Sequence, residues 1–283
     1  MSVPFYYTAE DTRNLSNRMP QEVRRMFRID NRCIFRYNKA TEPTERMHSM
    51  KTVIIHGQSH KGSTYHIARM IAEKAGGEIT EFFLPRDFGE FCCGCTRCFN
   101  ESETKCPHYA KLAPITAALD AADVIILASP VYVYHATGAM KALLDHYGYR
   151  WMVHSPEGAM FTKIGVCVAT AAGAGMKSTV QDMADSLFFW GVARIYKCGA
   201  GVAATEWNGV PPRKKKTIER KADAIAEKLK RRAGHVTPGL KTRCVFFAMH
   251  LLQRRGFNPR DVQHWKAHGW TGKARPWKQS SKP

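Results

Sequence analysis

The residues best suited to chemistry fall in two short runs. The first is His56-Gly57-Gln58-Ser59-His60-Lys61-Gly62-Ser63-Thr64, directly after Thr52-Val53-Ile54-Ile55. An apolar, β-branched run of that length reads as a buried strand, and the glycines, serine and lysine break it. Ser63 or Thr64 can then cap a helix whose apolar positions Ile67, Ala68, Ile71, Ala72 and Ala75 recur at helical spacing. Strand, small-residue turn and helix start together make a phosphate seat. Backbone N–H groups and the positive end of the helix dipole aim at one spot, and hydroxyls add donors. The spacing is neither that of a P-loop nor G-x-G-x-x-G. The plain alternative is an ordinary turn between a strand and a capped helix.

The second run is Cys92, Cys93, Cys95, Cys98 and Cys106. Four of these give Cys92-x2-Cys95-x2-Cys98-x7-Cys106, with Pro107 after the last. Closely spaced thiolates ending in Cys-Pro suit an iron–sulfur cluster, and the same four can hold zinc tetrahedrally. Free thiols, a redox pair such as Cys95 and Cys98, or thiols lining a substrate approach are the other readings. His60, His66 and His135 match no metal-binding spacing. Cys33 is isolated, while Cys167 and Cys198 sit in apolar runs and read as small core residues.

Both runs need a scaffold, and the pattern from residue 51 to 201 supplies one. Strand patterns at 52–55, 78–84, 123–128, 163–170 and 193–198 alternate with helical patterns, among them 109–121, 137–148 and 176–190. Such alternation implies right-handed crossovers and an α/β fold with a five-stranded parallel sheet covered by helices on both faces. Open parallel sheets bind ligands beyond the carboxyl ends of their strands, where strand order reverses. In the order 2-1-3-4-5 that crevice lies between the first and third strands. The turn after the third strand is Ser129-Pro130-Val131-Tyr132-Val133-Tyr134-His135, and that after the fourth is Ala171-Ala172-Gly173-Ala174-Gly175.

The whole chain narrows the class. It has 283 residues, 44% of them hydrophobic, which suits a globular protein. No apolar run reaches the ~20 residues of a membrane span. The N-terminus shows no secretory pattern, so a cytoplasmic location is expected and the cysteines read as thiols or metal ligands. Net charge is +19 but unevenly spread. Residues 50–208 carry 14 Lys/Arg against 14 Asp/Glu, whereas 209–283 carry 20 against 4. A neutral core block argues against a nucleic-acid-binding or membrane-surface module, and no nucleic-acid partner is expected. Three segments follow: a flexible N-terminal extension over 1–49, the α/β domain over 50–233, and a basic, Trp-containing helical extension over 234–283.

The 57–64 turn, Ser129-Pro130-Val131-Tyr132 followed by Met140-Lys141-Ala142-Leu143-Leu144-Asp145, and the glycine-rich turn at 171–175 together resemble the flavodoxin-like NAD(P)H-dependent oxidoreductases of the FMN reductase family. The resemblance covers residues 50–205. It implies FMN, with its phosphate at Ser59, Lys61, Gly62, Ser63 and Thr64. The ring would lie against Pro130, Val131, Tyr132 and Val133, with Ala172 and Gly173 along its other edge. It implies hydride transfer from NAD(P)H to the flavin and onward to a quinone, a flavin or another small acceptor, with no dedicated general base. The first turn is about one residue shorter than the commoner family form, which leaves His60 and Tyr65 unassigned. Family members commonly pair, so a homodimer or higher homo-oligomer is expected. Within the family a compact cysteine run marks the iron–sulfur flavoproteins. That implies a [4Fe–4S] cluster on Cys92, Cys95, Cys98 and Cys106, and electron carriage between protein partners as the alternative function.

Beyond the sheet, Ile218, Ala222, Ile225, Ala226 and Leu229 make one face of a basic helix ending near Arg232. A second helix around 244–252 is too short to span a bilayer and is expected to pack on the core or on a second copy. Trp265, Trp270 and Trp277 are expected to strap the tail across the domain. The arginines there would favour the 2′-phosphate of NADPH.

Overall fold

The computed structural model describes residues 49–256 and 258–278. The extension expected over 1–49 therefore lies, apart from Ser49, outside the described residues, as does Cys33. Five strands form the sheet: β1 (Lys51–His56), β2 (Glu78–Phe83), β3 (Val124–Pro130), β4 (Ile164–Ala171) and β5 (Arg194–Gly201). All neighbouring pairs are parallel and the order is β2-β1-β3-β4-β5. This is the flavodoxin-like arrangement that the resemblance implies.

The alternation of side chains along each strand divides the core in two. Val53 and Ile55 of β1, with Ile125, Leu127, Cys167 and Ala169, face α3 (Tyr109–Ala121), α4 (Gly138–His146) and α5 (Met176–Phe189). Ile54, with Ile126, Val166 and Val168, faces α1 (Ser63–Ala75) and α6 (Pro212–Arg232). A further short helix, α2 (Arg97–Asn100), lies in the cysteine segment. Each fully buried Ile or Leu contributes about 1.5–3 kcal/mol, so the two layers dominate stability. Cys167 and Cys198 are buried among these layers.

Behind the basic helix come α7 (Leu240–Arg254) and α8 (Pro259–Ala267). They gather a third core of Met152, Phe161, Phe246, Trp265 and Trp270, with Trp277 packed on it. Polar bonds fix the same segment. Trp265 Nε1 donates to the His154 carbonyl at 2.7 Å and Gln253 Nε2 to that of Val153 at 2.6 Å. The fully buried Asp261 accepts from Ser155 Oγ at 3.1 Å and pairs with His154 Nδ1 at 2.9 Å. No helix among the described residues is long and apolar enough to cross a membrane.

Candidate functional site

Three turns leave the carboxyl ends of β1, β3 and β4 and touch one another. The β1 turn begins at Gly57, whose N–H donates to the Ala128 carbonyl at 2.7 Å and whose carbonyl accepts from Thr137 Oγ1 at 2.6 Å. A Cβ there would come within 2.9 Å of Thr137 Oγ1, so glycine permits this close approach. The β3 turn is joined to β4 by Val131 N donating to the Thr170 carbonyl at 2.9 Å. Gly175, at φ +89°, closes the β4 turn against Val131 and Tyr134. Tyr132 OH bonds Gln58 Oε1 at 2.7 Å and so bridges the first turn to the second.

At the first turn the structure corrects one expectation. Neither Ser63 nor Thr64 caps the helix; Gly62 occupies that position and no side chain bonds the exposed amides. Ser63 and Thr64 fall inside the first turn, where both are buried. Thr64 Oγ1 reaches across to Thr170 Oγ1 at 2.6 Å. Ser63 Oγ is buried with no hydrogen-bond partner. Lys61 lies 5.4 Å from the Tyr65 ring centroid and 5.8 Å from that of Phe83, on the β2 side. Ser59 Oγ is likewise engaged with the Leu84 carbonyl at 3.3 Å. Beneath them His56 donates to Glu81 at 2.9 Å; its burial holds its pKa below the usual histidine range, with Glu81 partly offsetting the shift. On the outer side of the turn, His60, Lys61, Gly62, His66 and Trp207 border a cleft of about 240 Å³.

The second turn is strained. Val133 and Tyr134 adopt φ of +48° and +66°, a left-handed pair that costs a β-branched residue dearly. Val133 is 93% exposed, so no burial of its side chain offsets the cost. The surroundings hold the shape instead. Tyr132 and His135 exchange two backbone bonds of 3.0 Å. Asp182 takes His135 Nδ1 at 3.0 Å and the Ala136 N–H at 3.1 Å, and Ser178 donates to the Tyr134 carbonyl. Strain imposed in this way is a mark of functional turns. Pro130 and Val131 are half-buried behind it, while Ala172 and Gly173 are exposed on the third turn, where a Cβ added at Gly173 would meet nothing within 4 Å.

The cysteine segment runs from the end of the β2 connection to α3. Cys92, Cys93 and Cys95 are exposed; Cys98 and Cys106 are half-buried. Burial pushes the Cys98 thiol up to about 11, and the charges of Cys106, Cys92 and Cys95 act in the same direction. Cys95 is held below the ordinary thiol range, first by the backbone N–H of Arg97. Arg260 of α8 grips the segment through the Cys98 carbonyl and, at 2.7 Å, Glu103. Two partners escaped the sequence reading. His108 and His146 meet beside Cys106, with His108 Nδ1 2.9 Å from His146 Nε2. Cys106-Pro107-His108 is visible as a ligand pair two residues apart; His146, 38 residues further on, has no local signal.

The sequence profile described as NADPH-dependent FMN reductase matches residues 50–206. A curated relative, the iron-sulfur flavoprotein of Archaeoglobus fulgidus, is 27% identical over 136 residues, 47% of this chain and 59% of the relative. The chain thus spans 59% of the length of that relative. Among solved structures, a flavone reductase is 17% identical with a TM-score of 0.49, over 67% of this chain and 66% of its own. The NAD(P)H:quinone oxidoreductase from Methanothermobacter marburgensis is 14% identical with a TM-score of 0.49, over 64% and 96%.

Proposed function

This chain belongs to the NADPH-dependent FMN reductase family, and on that premise we propose that it is a flavin-dependent oxidoreductase taking electrons from NAD(P)H and delivering them to a quinone, a flavin or another small acceptor. One observation carries the reading: Ser63 Oγ is buried without a partner at a helix start that no side chain caps. A buried hydroxyl left unpaired costs about 1–3 kcal/mol, and a phosphate oxygen would relieve it. The donor set of hydroxyl, first-turn amides and Lys61 fits the phosphate of FMN.

FMN, when bound, supplies hydride acceptance and onward electron transfer. The residues of the chain do the holding. Ser63, Thr64 and Gly62 take the phosphate, Ser59 and Lys61 flank it, and the strained turn presents Tyr132 and Val133 to the ring, with Pro130 and Val131 behind. Ala172 and Gly173 leave the opposite edge open to nicotinamide and acceptor. A homodimer belongs to this reading, because the exposed Tyr132, Val133 and Tyr134 sit at the rim; sedimentation measures it. The test is anaerobic. Full-length protein reconstituted with FMN should keep its flavin through gel filtration, NADPH or NADH should bleach it, and a quinone should restore the colour. Failure to retain flavin, or retained flavin that neither nucleotide reduces, overturns the reading.

The spacing Cys92-x2-Cys95-x2-Cys98-x7-Cys106 supports a second reading, an iron–sulfur flavoprotein carrying electrons between protein partners. Those four thiolates would hold a [4Fe–4S] cluster, whose chemistry is one-electron transfer. About four iron per chain in anaerobic protein, with acid-labile sulfide, would establish it.

A further inference from the structure

We propose a mononuclear transition-metal site at Cys106 Sγ, His108 Nδ1 and His146 Nε2, suited to a divalent cation of the zinc class. Among the described residues, this is the set of three or more potential ligands whose donor atoms all lie within 4.8 Å of one another. Three elements bring it together. Cys106 closes the short turn after Lys105, His108 stands at the start of α3, and His146 is the last residue of α4. Phe88 meets the His146 ring edge-on, with centroids 4.9 Å apart, and walls the site.

Hydrogen bonding fixes the chemistry of His146. It is 5% exposed, and its Nδ1 lies 2.7 Å from the Ala142 carbonyl. A carbonyl only accepts, so Nδ1 carries the ring proton and Nε2 presents a lone pair. Metal-binding histidines characteristically donate their second nitrogen to such a carbonyl. Without metal, the His146 lone pair must be met by a proton on His108 Nδ1, which fits their 2.9 Å separation. Tetrahedral zinc at ~2.0–2.1 Å from each nitrogen would hold the two about 3.3 Å apart. The half-buried His108 thus has only a few tenths of an ångström to move.

Binding proceeds by exchange of protons for metal. Cys106 loses its thiol proton to solvent, and His108 changes tautomer, moving its proton from Nδ1 to Nε2. One proton is therefore released per cation and no electron is transferred, so affinity rises with pH. A Cys-His-His set leaves the fourth position to water. The assignment takes Cys106 from the four-cysteine set, so it and a cluster using Cys106 exclude one another. The site is also separate from the three turns. Thr137, which donates to the Gly57 carbonyl, caps helix α4, and the helix carries His146 about 13 Å from that cap at 1.5 Å per residue.

The test uses the full chain, stripped with chelator and titrated with Co2+ under reducing, anaerobic conditions. The site predicts one tight equivalent, with tetrahedral ligand-field bands and a thiolate charge-transfer band. Cys106→Ser should abolish the charge-transfer band. His108→Ala and His146→Ala should each weaken binding by more than the roughly 10–100-fold that loss of an outer-shell partner costs. His108 lies nearer the surface, so His108→Ala decides the matter if His146→Ala fails to fold. FMN retention should be unchanged in all three. Binding indifferent to both histidines, absence of a tight equivalent, or four iron with labile sulfide that require Cys106 would overturn the site.

Discussion

Ser63 and Val133 carry the account at the scale of single residues, each by an anomaly that ordinary folding would remove. Ser63 keeps a buried hydroxyl with no partner, and Val133 holds a left-handed backbone without burial. Val133→Gly relieves the backbone strain. We expect it to raise the stability of the flavin-free protein by about 1 kcal/mol, read from the urea midpoint; a loss of stability would show the turn to be unstrained. The sequence displayed the hydroxyls, glycines and Ser-Pro-x-Tyr turn, but not their partners. Thr170, on β4, takes Thr64, and Gln58 takes Tyr132. The mistaken cap at Ser63 or Thr64 has the same origin, since Ser and Thr suit both a cap and a first turn in which the hydroxyl reaches outward.

Elements with strong periodicity were legible along the chain. The 109–121 helix appears with those bounds, and each of the five strands within three residues of its expected ends. Their apolar faces are buried on both sides of the sheet, so local pattern and tertiary demand agree. The basic helix and the helix around 244–252 were legible as helices, whereas the tail beyond them was legible only as tryptophans and charge. What its polar residues do depends on contacts over 100 residues away: Asp261 on Ser155 and His154, and Arg260 on the cysteine segment. Trp265 pins this strap through both ring burial and its bond to the His154 carbonyl. Trp265→Ala should cost about 3–5 kcal/mol of stability, measured by chemical denaturation. Arg260→Ala should leave the sheet intact yet speed amide exchange over residues 97–106, because it frees Cys98 and Glu103. Unchanged exchange there would mean the strap does not steady the cysteines.

Charge and titration act on the molecule as a whole. The basic excess sits in residues 209–283, leaving the sheet block neutral. Burial holds His56 and His264 below the usual histidine range. In the unfolded chain both take up protons near pH 6.5, whereas in the fold they do so only at lower pH. Unfolding therefore binds protons, and this contribution to stability is complete above about pH 6.5 and is lost as pH falls toward the lowered folded values. The urea midpoint should drop between pH 7.5 and 5.5, and His56→Gln with His264→Gln should shrink that drop; an unaltered drop would contradict the assignment.

The most direct measurement is an FMN titration of the full chain, followed by flavin fluorescence, in parallel with Ser63→Ala. A hydroxyl that bonds a charged phosphate contributes about 1.5–3 kcal/mol, so the variant should bind roughly 10–100-fold more weakly. Its flavin-free melting temperature should not fall, since Ser63 Oγ has no partner to lose. Equal affinity for FMN in the two proteins, or no measurable affinity in either, would contradict the phosphate seat and with it the proposed activity.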